Sequence, residues 1–401
     1  MSGPDGFEIV LDLGMQPLSD SFLPPGHDGA EYTYPLRVVR HTEHPLVRLD
    51  TVVPREKMFH DEYPYHSSTS TRMQEHFSAV ADRFLRDELT GDDPFIVEIG
   101  SNDGIMLSRV ADAGRRHLGV DPAGGVGDIA RERGVRVRAA FFDEQCAREI
   151  RAEDGPADVV YAANTMCHIP YLDSILRGVD ALLTRDGILV FEDPYLGDIV
   201  ERASFDQIYD EHFHFFSATS VQHIVAPHGF ELVDVERLGV HGGEVRYTVA
   251  RRGARPVGHA VAELVAHEQA MDLHGRATLE GFAARVRTNA TDLVRTLTDL
   301  RAEGKRIAGF GATAKSATVT NYAGIGPDLV PVIYDSTPAK QGRLSPGAHI
   351  PIAPSSEFRA PYPDYTLLFA WNHAEEIMEQ EVAYRESGGR WLVYVPDVHV
   401  V

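Results

Sequence analysis

Cysteine is scarce in this chain, and long apolar segments are missing. Two cysteines, Cys146 and Cys167, are too few for a disulfide framework or a four-thiolate zinc site. No window reaches the roughly 18–20 apolar residues that cross a bilayer. The N-terminus has neither a basic leader nor a long apolar stretch, so a signal peptide is not expected. These absences predict a soluble cytoplasmic protein without a membrane partner.

Positive charge is also scarce. The 38 Lys and Arg residues against 60 Asp and Glu residues give a formal net charge of −22 at pH 7. Nonspecific binding to nucleic acid or to anionic membranes is therefore excluded, because the charge that would neutralise phosphates is missing overall. A local basic pocket for a small phosphorylated ligand stays open. The length of 401 residues and the hydrophobic fraction of 43% predict two or three globular domains.

The order of apolar runs and turn residues divides the chain into three parts. Residues 1–72 hold short extended runs among Pro, His and Tyr, which predicts a small, irregular β-containing domain. From 73 to 256, a helix precedes alternating strands and helices, the signature of a doubly wound α/β sheet, and two antiparallel strands complete its edge. Residues 257–401 read as a helical connection and a second, smaller Rossmann-like domain.

Apolar spacing predicts the longer helices. One begins near Ser70 and buries a face formed by Met73, Phe77, Val80, Phe84 and Leu85. The region from His259 to Gly304 is predicted to be helical, with one buried stripe formed by Phe282, Val286, Leu293, Leu297 and Leu300. The predicted strands read FIVEIG, HLGVD, VRVRAA, ADVVYAAN and GILVFED in the first sheet, and RIAGFG, VPVIYD, YTLLFAW and RWLVYVP in the second.

The turn after the first of these strands carries the cofactor signal. It reads VEIGSNDG over 97–104, and Gly100 permits a tight turn and a close approach of the backbone to a ligand. The carboxylates of Glu98 and Asp103 stand where a pyrophosphate would lie, so a cationic ligand suits the turn better. Asp121 ends the next strand, where a carboxylate can accept hydrogen bonds from both hydroxyls of a ribose.

Two further residues complete this pattern. Phe142, in the segment Phe141-Phe142-Asp143, is expected to cover an adenine, and Asn164 ends the fourth strand beside the same cleft. The pattern predicts S-adenosylmethionine, bound by Glu98, Gly100, Ser101, Asn102, Asp103, Asp121, Phe142 and Asn164. The alternatives are an NAD-type cofactor, or a generic Rossmann turn in which Asp121 only caps a helix.

The segment FDQIYDEHFHFF, over 205–216, is the least ordinary stretch of the chain. It brings Tyr209, Glu211 and His212 together, shortly after a strand of the cofactor sheet. A histidine near a substrate C–H can act as a general base around neutral pH, and a tyrosine or second histidine can stabilise an enolate oxygen. The alternative is a packed aromatic core with satisfied histidines. The turn from His241 to Gly243 adds a place where a ligand can approach the backbone closely.

An ordered set of motifs carries a family resemblance over nearly the whole chain. The motifs are LDLGMQPLSDSFLP, DEYPYHSSTS, EIGSNDG, NTMCHI, FEDPYL, FDQIYDEHFHFFS, HGGEVR, GFGATAKS, YDSTPAKQGRLSPGAHIPI and FAWNH. With them the chain resembles the S-adenosylmethionine-dependent C-methyltransferases that act on nucleotide-linked keto-deoxysugars in secondary metabolism. The resemblance implies an α/β protein with a central class I methyltransferase domain, a C-terminal Rossmann-like domain and a small N-terminal substrate-side domain.

The resemblance also implies a reaction and its residues. A base removes the proton next to a sugar ketone, and the enolate attacks the sulfonium methyl group. His212 is implied as the base, with Tyr209 and Glu211 beside it, and the sugar or its enolate would be contacted by His168, Tyr63 and Tyr65. The implied substrate is a dTDP-linked ketosugar. The residues expected to bind it are His241 and Arg246, together with Lys315, Lys340 and Arg343, whose positive charges can neutralise a diphosphate. A solvated surface role stays open for the last three. The expected state is a monomer or a homodimer.

Three departures from the family pattern are visible. The paired N-terminal cysteines that hold a structural zinc in the family are absent, and His41 and His44 stand where the second pair would fall. Two histidines at this spacing can ligate a metal only if two more ligands come from elsewhere, so no metal is expected, although that alternative stays open. Asp210 replaces a histidine and Glu244 replaces a serine, which adds negative charge near the expected substrate cleft. An amino group on the sugar would explain these acids. N- or O-methylation, another activated carbonyl acceptor, and a noncatalytic sugar-nucleotide binding protein are the alternative functions.

Overall fold

The computed structural model describes residues 6–27, 29–58, 70–359 and 361–401. They form two compact units, each assembled from separate stretches of the chain. The first unit takes its residues from 1–53, 196–213 and 272–401, and the second from 54–195 and 214–271. Within the described ranges, no helix is both long enough and apolar enough to cross a membrane.

The first unit contains two sheets. Its strands, numbered along the whole chain, are β1 (Phe7–Pro17), β2 (Thr33–His41), β3 (Val47–Leu49), β11 (Ile307–Phe310), β12 (Ile333–Asp335), β13 (Ile352–Pro354), β14 (Tyr365–Leu368), β15 (Arg390–Val393) and β16 (His399–Val400). Strands β1, β2 and β3 form an antiparallel sheet, as expected of the N-terminal region. The second sheet has the order β13-β12-β11-β14-β15-β16 and is parallel except for β16, which confirms the predicted C-terminal Rossmann-like fold.

The helices of the first unit are α7 (Leu196–Arg202), α10 (Arg276–Ala302), α11 (Ala314–Ala323), α12 (Ala374–Gln380) and α13 (Val382–Glu386). Helix α10 buries the predicted apolar positions, and only the last of them, Leu300, is half-buried. The region from 259 to 304, predicted to be helical, consists of two helices, α9 (His259–Ala270) and α10, with a break between them. Asp272 adopts a left-handed backbone there, and Gly275 caps the new helix.

The second unit is built on a seven-stranded sheet. Its strands are β4 (Phe95–Ile99), β5 (Arg116–Val120), β6 (Val137–Arg138), β7 (Ala157–Ala163), β8 (Leu183–Pro194), β9 (Phe230–Leu238) and β10 (Glu244–Arg251). Their order is β6-β5-β4-β7-β8-β10-β9. The first five are parallel, and β10 runs antiparallel to both β8 and β9, as the sequence predicted. Strand β6 pairs over two residues only, and is therefore shorter than the predicted VRVRAA run.

Helices α1 (Arg55–Met58), α2 (Thr71–Asp87), α3 (Ile105–Asp112), α4 (Gly124–Glu132), α5 (Glu144–Asp154), α6 (Leu172–Leu182), α8 (Ala218–Val225) and α9 (His259–Ala270) complete the second unit. Every residue of β4 is buried, as expected of a central strand in a parallel sheet. The Ser70 hydroxyl caps α2 by accepting a hydrogen bond from the amide of Met73. The predicted apolar face of α2 packs into the core of this unit. The carboxyl ends of β4, β5, β7 and β8 consequently share one edge of the sheet.

Candidate active site

The turn between β4 and α3 is closed too tightly for any side chain at Gly100. Gly100 has a φ of 70°, and a Cβ atom there would lie 2.3 Å from Oγ1 of Thr165, in the turn after β7. Asn102 also has a left-handed φ of 46°. The backbone of this turn is therefore fixed, and close to the neighbouring turn, as a nucleoside-binding loop requires.

Asp121 joins this turn to the end of β5. Its Oδ2 accepts a hydrogen bond from the amide of Asn102, and its Oδ1 accepts one from the amide of Ala123, both at 2.9 Å. Burial raises the pKa of Asp121, although these two bonds oppose that rise. The carboxylate is thus oriented by the backbone at the position where Rossmann folds bind a ribose.

Several carboxylates lie close together beside the glycine turn, and Glu98 is the most strongly affected of them. Glu98 is 3% exposed, and its Oε2 has no hydrogen-bond partner among the described residues. Burial raises the pKa of Glu98 well above its usual range, and the nearby carboxylates of Asp121, Asp103 and Glu192 raise it further. A bound cation would relieve this repulsion, so the residues fit the ammonium and sulfonium groups of S-adenosylmethionine.

The remaining predicted cofactor residues lie around the same edge of the sheet. Ser101 is buried, and its hydroxyl closely faces the backbone at Gly119 in β5. Phe142 is buried just before α5, whose first turn is capped by the carboxylate of Asp143. Asn164 follows β7 with a left-handed φ of 48°. Whether each of these contacts the cofactor stays a prediction.

Glu192, near the end of β8, is the centre of a charged network that the sequence did not reveal. Its two oxygens lie 2.6 Å from Nε2 of His76 and 2.6 Å from Nε of Arg246, while another nitrogen of Arg246 lies 2.6 Å from Glu236. Burial alone would raise the pKa of Glu192, but the bonds to His76 and Arg246 lower it. Arg246, predicted to bind substrate, is bonded here to two carboxylates and is 7% exposed.

The turn after β7 carries His168 in a short 3-10 helix, Met166–His168. Burial lowers the pKa of His168 to about 3, so its imidazole is neutral at physiological pH. A neutral imidazole can donate a hydrogen bond to a developing enolate oxygen, which is the role the resemblance implies. The carbonyl of Cys167 accepts a hydrogen bond from the amide of His214 at 2.9 Å.

In the first unit, Tyr209 and His212 form a hydrogen-bonded pair. The Tyr209 hydroxyl lies 2.6 Å from Nε2 of His212, and Nδ1 of His212 lies 2.7 Å from the carbonyl oxygen of Gln207. A carbonyl oxygen can only accept, so Nδ1 carries the proton and Nε2 holds the lone pair. Tyr209, Glu211 and His212 are all buried. This tautomer is the one that a general base needs.

The segment before this pair is anchored by Asp206. Its Oδ2 accepts hydrogen bonds from Nε1 of Trp371 at 2.6 Å and from the hydroxyl of Tyr394 at 2.8 Å. The hydroxyl of Thr318, in α11, donates to the carbonyl of Ile208 at 2.8 Å. The segment that carries Tyr209 and His212 is therefore hydrogen-bonded to the C-terminal Rossmann-like part of the same unit.

The two acids that depart from the family pattern are buried. Oδ1 of Asp210 accepts a hydrogen bond from the amide of Ser19 at 3.0 Å. Burial raises the pKa of Asp210 to about 6, although the bond to Ser19 opposes the rise. Glu244 is buried in the second unit, where it begins β10. Asp210 thus has a structural task that the sequence did not reveal.

The predicted diphosphate ligands lie in the first unit. Nζ of Lys340 donates to the carbonyl of Ala312 at 2.9 Å and lies 3.9 Å from Oδ1 of Asp20. Lys315 is 9% exposed in the first turn of α11, and Arg343 is exposed, with one guanidinium nitrogen 3.1 Å from the carbonyl of Phe22. These contacts leave their substrate-binding role a prediction.

The turn that carries Lys315 repeats the geometry found after β4. Asp335, at the end of β12, accepts hydrogen bonds at 2.7 Å from the amides of Ala312 and Thr337. Three further residues predicted to contact the substrate remain. In the second unit, His241 has a left-handed φ of 49° in the turn between β9 and β10. Tyr63 and Tyr65, two of the predicted sugar contacts, lie outside the described residues.

His41 and His44, which stand where the family has its second cysteine pair, stack on each other with ring centroids 4.4 Å apart. Nδ1 of His41 accepts hydrogen bonds from the amides of Glu43 and His44. Within the described ranges, no third histidine, cysteine or carboxylate completes a ligand set around these rings. Their metal-free state stays a prediction.

Comparisons with known proteins find relatives along nearly the whole chain. A family model for a methyltransferase domain matches residues 71–235, one for a C-methyltransferase C-terminal domain matches 239–396, and one for a zinc binding domain matches 2–59. The C-methyltransferase NovU of Streptomyces niveus is 35% identical over 404 residues, which cover 100% of this chain and 95% of NovU.

The seven-stranded sheet, the turn at Gly100 and the family matches together define the class of this protein. It is an S-adenosylmethionine-dependent methyltransferase, and its cofactor is S-adenosylmethionine. Within that class, the chain belongs to the C-methyltransferase family that includes NovU. The family resemblance drawn from the sequence motifs, the cofactor and the enzymatic class are thereby confirmed.

Solved structures of methyltransferases also match, each over less than half of this chain. An S-adenosylmethionine-dependent methyltransferase of Anabaena variabilis is 16% identical, with a TM-score of 0.36 over 45% of this chain and 86% of its own. Magnesium protoporphyrin IX methyltransferase of Synechocystis is 13% identical, with a TM-score of 0.33 over 44% of this chain and 79% of its own. At these identities nothing about the acceptor is transferred.

Proposed function

We propose that this enzyme methylates the carbon next to the ketone of a nucleotide-linked keto-deoxysugar in secondary metabolism, with His212 as the general base. The observation that carries the proposal is the Tyr209–His212 pair. Its Nδ1–H is fixed on the carbonyl of Gln207, so Nε2 is the basic atom of the ring and accepts the Tyr209 hydroxyl proton in a hydrogen bond. The family relationship to a C-methyltransferase supports carbon as the acceptor atom.

The proposed steps use the residues of this chain as follows. The sugar ketone acidifies the neighbouring C–H. The Tyr209 oxygen takes that proton as its own hydroxyl proton passes to Nε2 of His212, so His212 is the final proton acceptor. His168, neutral because of its burial, donates a hydrogen bond to the enolate oxygen. S-adenosylmethionine, held by residues such as Glu98 and Asp121, would supply the methyl group that the enolate carbon accepts, with S-adenosylhomocysteine as the leaving group.

The nucleotide part of the substrate is proposed from charge. Three of the four lysines in the chain lie between residues 305 and 340, although the net charge is −22. Lys315 lies in the first turn of α11, and Lys340 donates a hydrogen bond to the carbonyl of Ala312, in the turn before that helix. Arg343 is three residues beyond Lys340 in the chain. We propose that these three residues neutralise the diphosphate of a dTDP-sugar. The expected cytoplasmic location and the monomeric or homodimeric state remain predictions.

Isotopic labelling tests the proposal. The enzyme is incubated with methyl-labelled S-adenosylmethionine and a panel of nucleotide-linked 4-ketosugars, and the products are analysed by mass spectrometry. A product heavier by one labelled methyl group in place of hydrogen, with its ketone retained, is the expected result. The same sugars are incubated in heavy water, because only carbanion chemistry requires deuterium exchange next to the ketone. A product methylated on nitrogen or oxygen, without such exchange, would contradict the proposal.

A further inference from the structure

The turn after β7 holds two predicted site residues in one short stretch of backbone. Asn164 has a left-handed φ of 48°, and its amide donates to the carbonyl of Glu192 at 2.7 Å. Four residues later, the amide of His168 donates to the carbonyl of Thr165 at 3.0 Å. Any shift of this turn would therefore move both a cofactor residue and the imidazole proposed to meet the enolate.

Asp193, the penultimate residue of β8, lies under this turn. It is completely buried, and its Oδ2 accepts a hydrogen bond from the amide of Cys167 at 3.2 Å. Cys167 directly precedes His168, so the carboxyl group fixes the backbone next to the imidazole. Its other oxygen, Oδ1, has no hydrogen-bond partner among the described residues. The proposed mechanism does not otherwise use this side chain.

The surroundings of Asp193 disfavour a negative charge. The groups that face it are the Cys167 thiol from the turn, Glu192 from its own strand and Tyr247 from β10. Glu192 is itself an anion, which is paired with the Arg246 guanidinium and hydrogen-bonded to His76. Burial, with a smaller contribution from Glu192, raises the pKa of Asp193 to about 8, although hydrogen bonds from the thiol and amide of Cys167 and from the backbone of Thr165 oppose the rise. At neutral pH one oxygen can carry the proton while the other accepts the amide.

We propose that Asp193 is a positioning residue that, as a neutral carboxylic acid, holds the turn over 164–168 and thereby sets the imidazole of His168 for methyl transfer. The part concerning His168 rests on the proposed function, whereas the hold on the turn does not. Ionisation of Asp193 would place an uncompensated charge beneath the turn and disturb it. The inference therefore makes separate predictions for backbone protection and for turnover.

Three variants test the inference. Asp193→Asn keeps an acceptor oxygen in nearly the same shape but cannot ionise, and Asp193→Ala removes the acceptor. Asp158→Asn is the matched control, because Asp158 also accepts a backbone amide, from Phe95 at 3.0 Å, but at the opposite edge of the same sheet. Hydrogen–deuterium exchange of the peptide covering 164–168 is measured for each variant, without substrate. Turnover is then measured across pH 6–10.

We expect Asp193→Ala to speed amide exchange in this peptide by at least about tenfold, because local opening is no longer opposed. Its kcat should fall on the order of 10²-fold, as for other small displacements of a reacting group. Asp193→Asn should restore the protection and most of the turnover, with a kcat within about fivefold of the parent, the equivalent of one weakened hydrogen bond. The parent and Asp158→Asn should lose kcat above about pH 8, and Asp193→Asn should not.

Each contrary result has a distinct meaning. Unchanged exchange in Asp193→Ala would overturn the hold on the turn, whatever the substrate is. Faster exchange with an unchanged kcat and KM would overturn the link to His168 alone. A fall in kcat at alkaline pH that persists in Asp193→Asn would overturn the neutral-acid role. If Asp193→Ala does not fold, the comparison of Asp193→Asn with Asp158→Asn still decides the last point.

Discussion

Nε of Arg246 donates to Oε1 of Glu192 over 2.6 Å, and both side chains are almost fully buried. The other oxygen of Glu192 is held by His76. A carboxylate beside the cofactor turn therefore stays ionised, whereas burial favours the protonated form of Glu98 and Asp193. Environments that push the pKa values of neighbouring acids apart are typical of active sites.

Breaking this pair should destabilise the second unit. Arg246→Met keeps an apolar stem but leaves Glu192 short of one partner, so we expect the free energy of unfolding to fall by about 3 kcal/mol. Urea unfolding followed by circular dichroism measures the change. The control Arg109→Met removes an exposed pair with Asp82 and should cost less than about 1 kcal/mol. Equal losses in the two variants would contradict this account.

The stabilisation from Glu192 should depend on pH in a defined direction. Its folded-state pKa lies below the ordinary value, so its contribution is fully present above the ordinary glutamate pKa of about 4.3. The contribution is lost as the pH falls through the lower folded-state pKa. The difference between the parent and Arg246→Met should therefore shrink below about pH 4, and a constant difference would speak against ionised Glu192.

Replacing the proposed base should separate binding from turnover. His212→Asn is expected to lower kcat by about 10²–10⁴-fold, the contribution typical of a general base, while the affinity for S-adenosylhomocysteine stays within error. Steady-state kinetics and isothermal titration calorimetry measure the two quantities. The control His259→Asn changes a histidine that is exposed at the start of α9. Near-normal turnover in His212→Asn would remove this residue as the base.

Asp210 should make folding less favourable as it ionises. Its folded-state pKa of about 6 lies above the ordinary aspartate pKa of about 3.9, so the folded state binds more protons between these values. Stability should fall as the pH rises through this interval. Asp210→Asn keeps an acceptor for the amide of Ser19 and should raise the free energy of unfolding at pH 7 by roughly 1–3 kcal/mol. The two proteins should converge below pH 4, and a gain that persists there would contradict this reason.

Glu268 should act as a cap supplied by a different helix. From α9, its carboxylate accepts hydrogen bonds from the amides of Ala218 and Thr219 and from the Thr219 hydroxyl, in the first turn of α8. Glu268→Ala is expected to cost about 2 kcal/mol, because buried amides lose a charged acceptor. The matched control is Glu263→Ala on the exposed face of the same helix, which should cost less than about 0.5 kcal/mol. Thermal unfolding of both variants provides the measurement.

Metal analysis should distinguish this chain from relatives with paired zinc cysteines. Nδ1 of His41 is occupied by two backbone amides, and the two histidine rings stack. We expect far less than one zinc per chain by plasma mass spectrometry, and no loss of stability with a chelator. The match of residues 2–59 to a zinc binding domain model makes this measurement informative. Stoichiometric zinc that is lost in His41→Ala would show the expectation to be wrong.

The sequence predicted the elements whose signals are local. The apolar spacing of α2, the buried run of β4 and the antiparallel edge of β9 and β10 were all found. The helical region from His259 to Gly304 was also found, but its division into two helices at Asp272 and Gly275 was not specified, because the apolar stripe begins only beyond them. Local spacing shows which face of a helix is buried, but it gives little information on where the helix begins.

The site was predictable where a residue ends a strand, because the ends of parallel strands meet at one edge. Asp121 lies at the end of β5, beside the glycine turn, as this rule predicts, and its contact with the ribose stays a prediction. The bonds from His76 to Glu192 and from Ser19 to Asp210 join residues far apart in the chain, and no periodicity marks such partners. Asp210 was recognised from the sequence as a departure from the family motif, but its hydrogen bond with the amide of Ser19 is seen only in the three-dimensional structure.

Asp121 and Asp335 close equivalent turns in the two Rossmann-like sheets, and both do so by accepting backbone amides. A turn tied in this way keeps its shape through bonds internal to the polypeptide, whether or not a nucleotide occupies it. Evolution can therefore change or abandon the ligand at one of the two sheets without forfeiting the domain. The stability of these two turns therefore does not depend on which ligand, if any, each sheet binds.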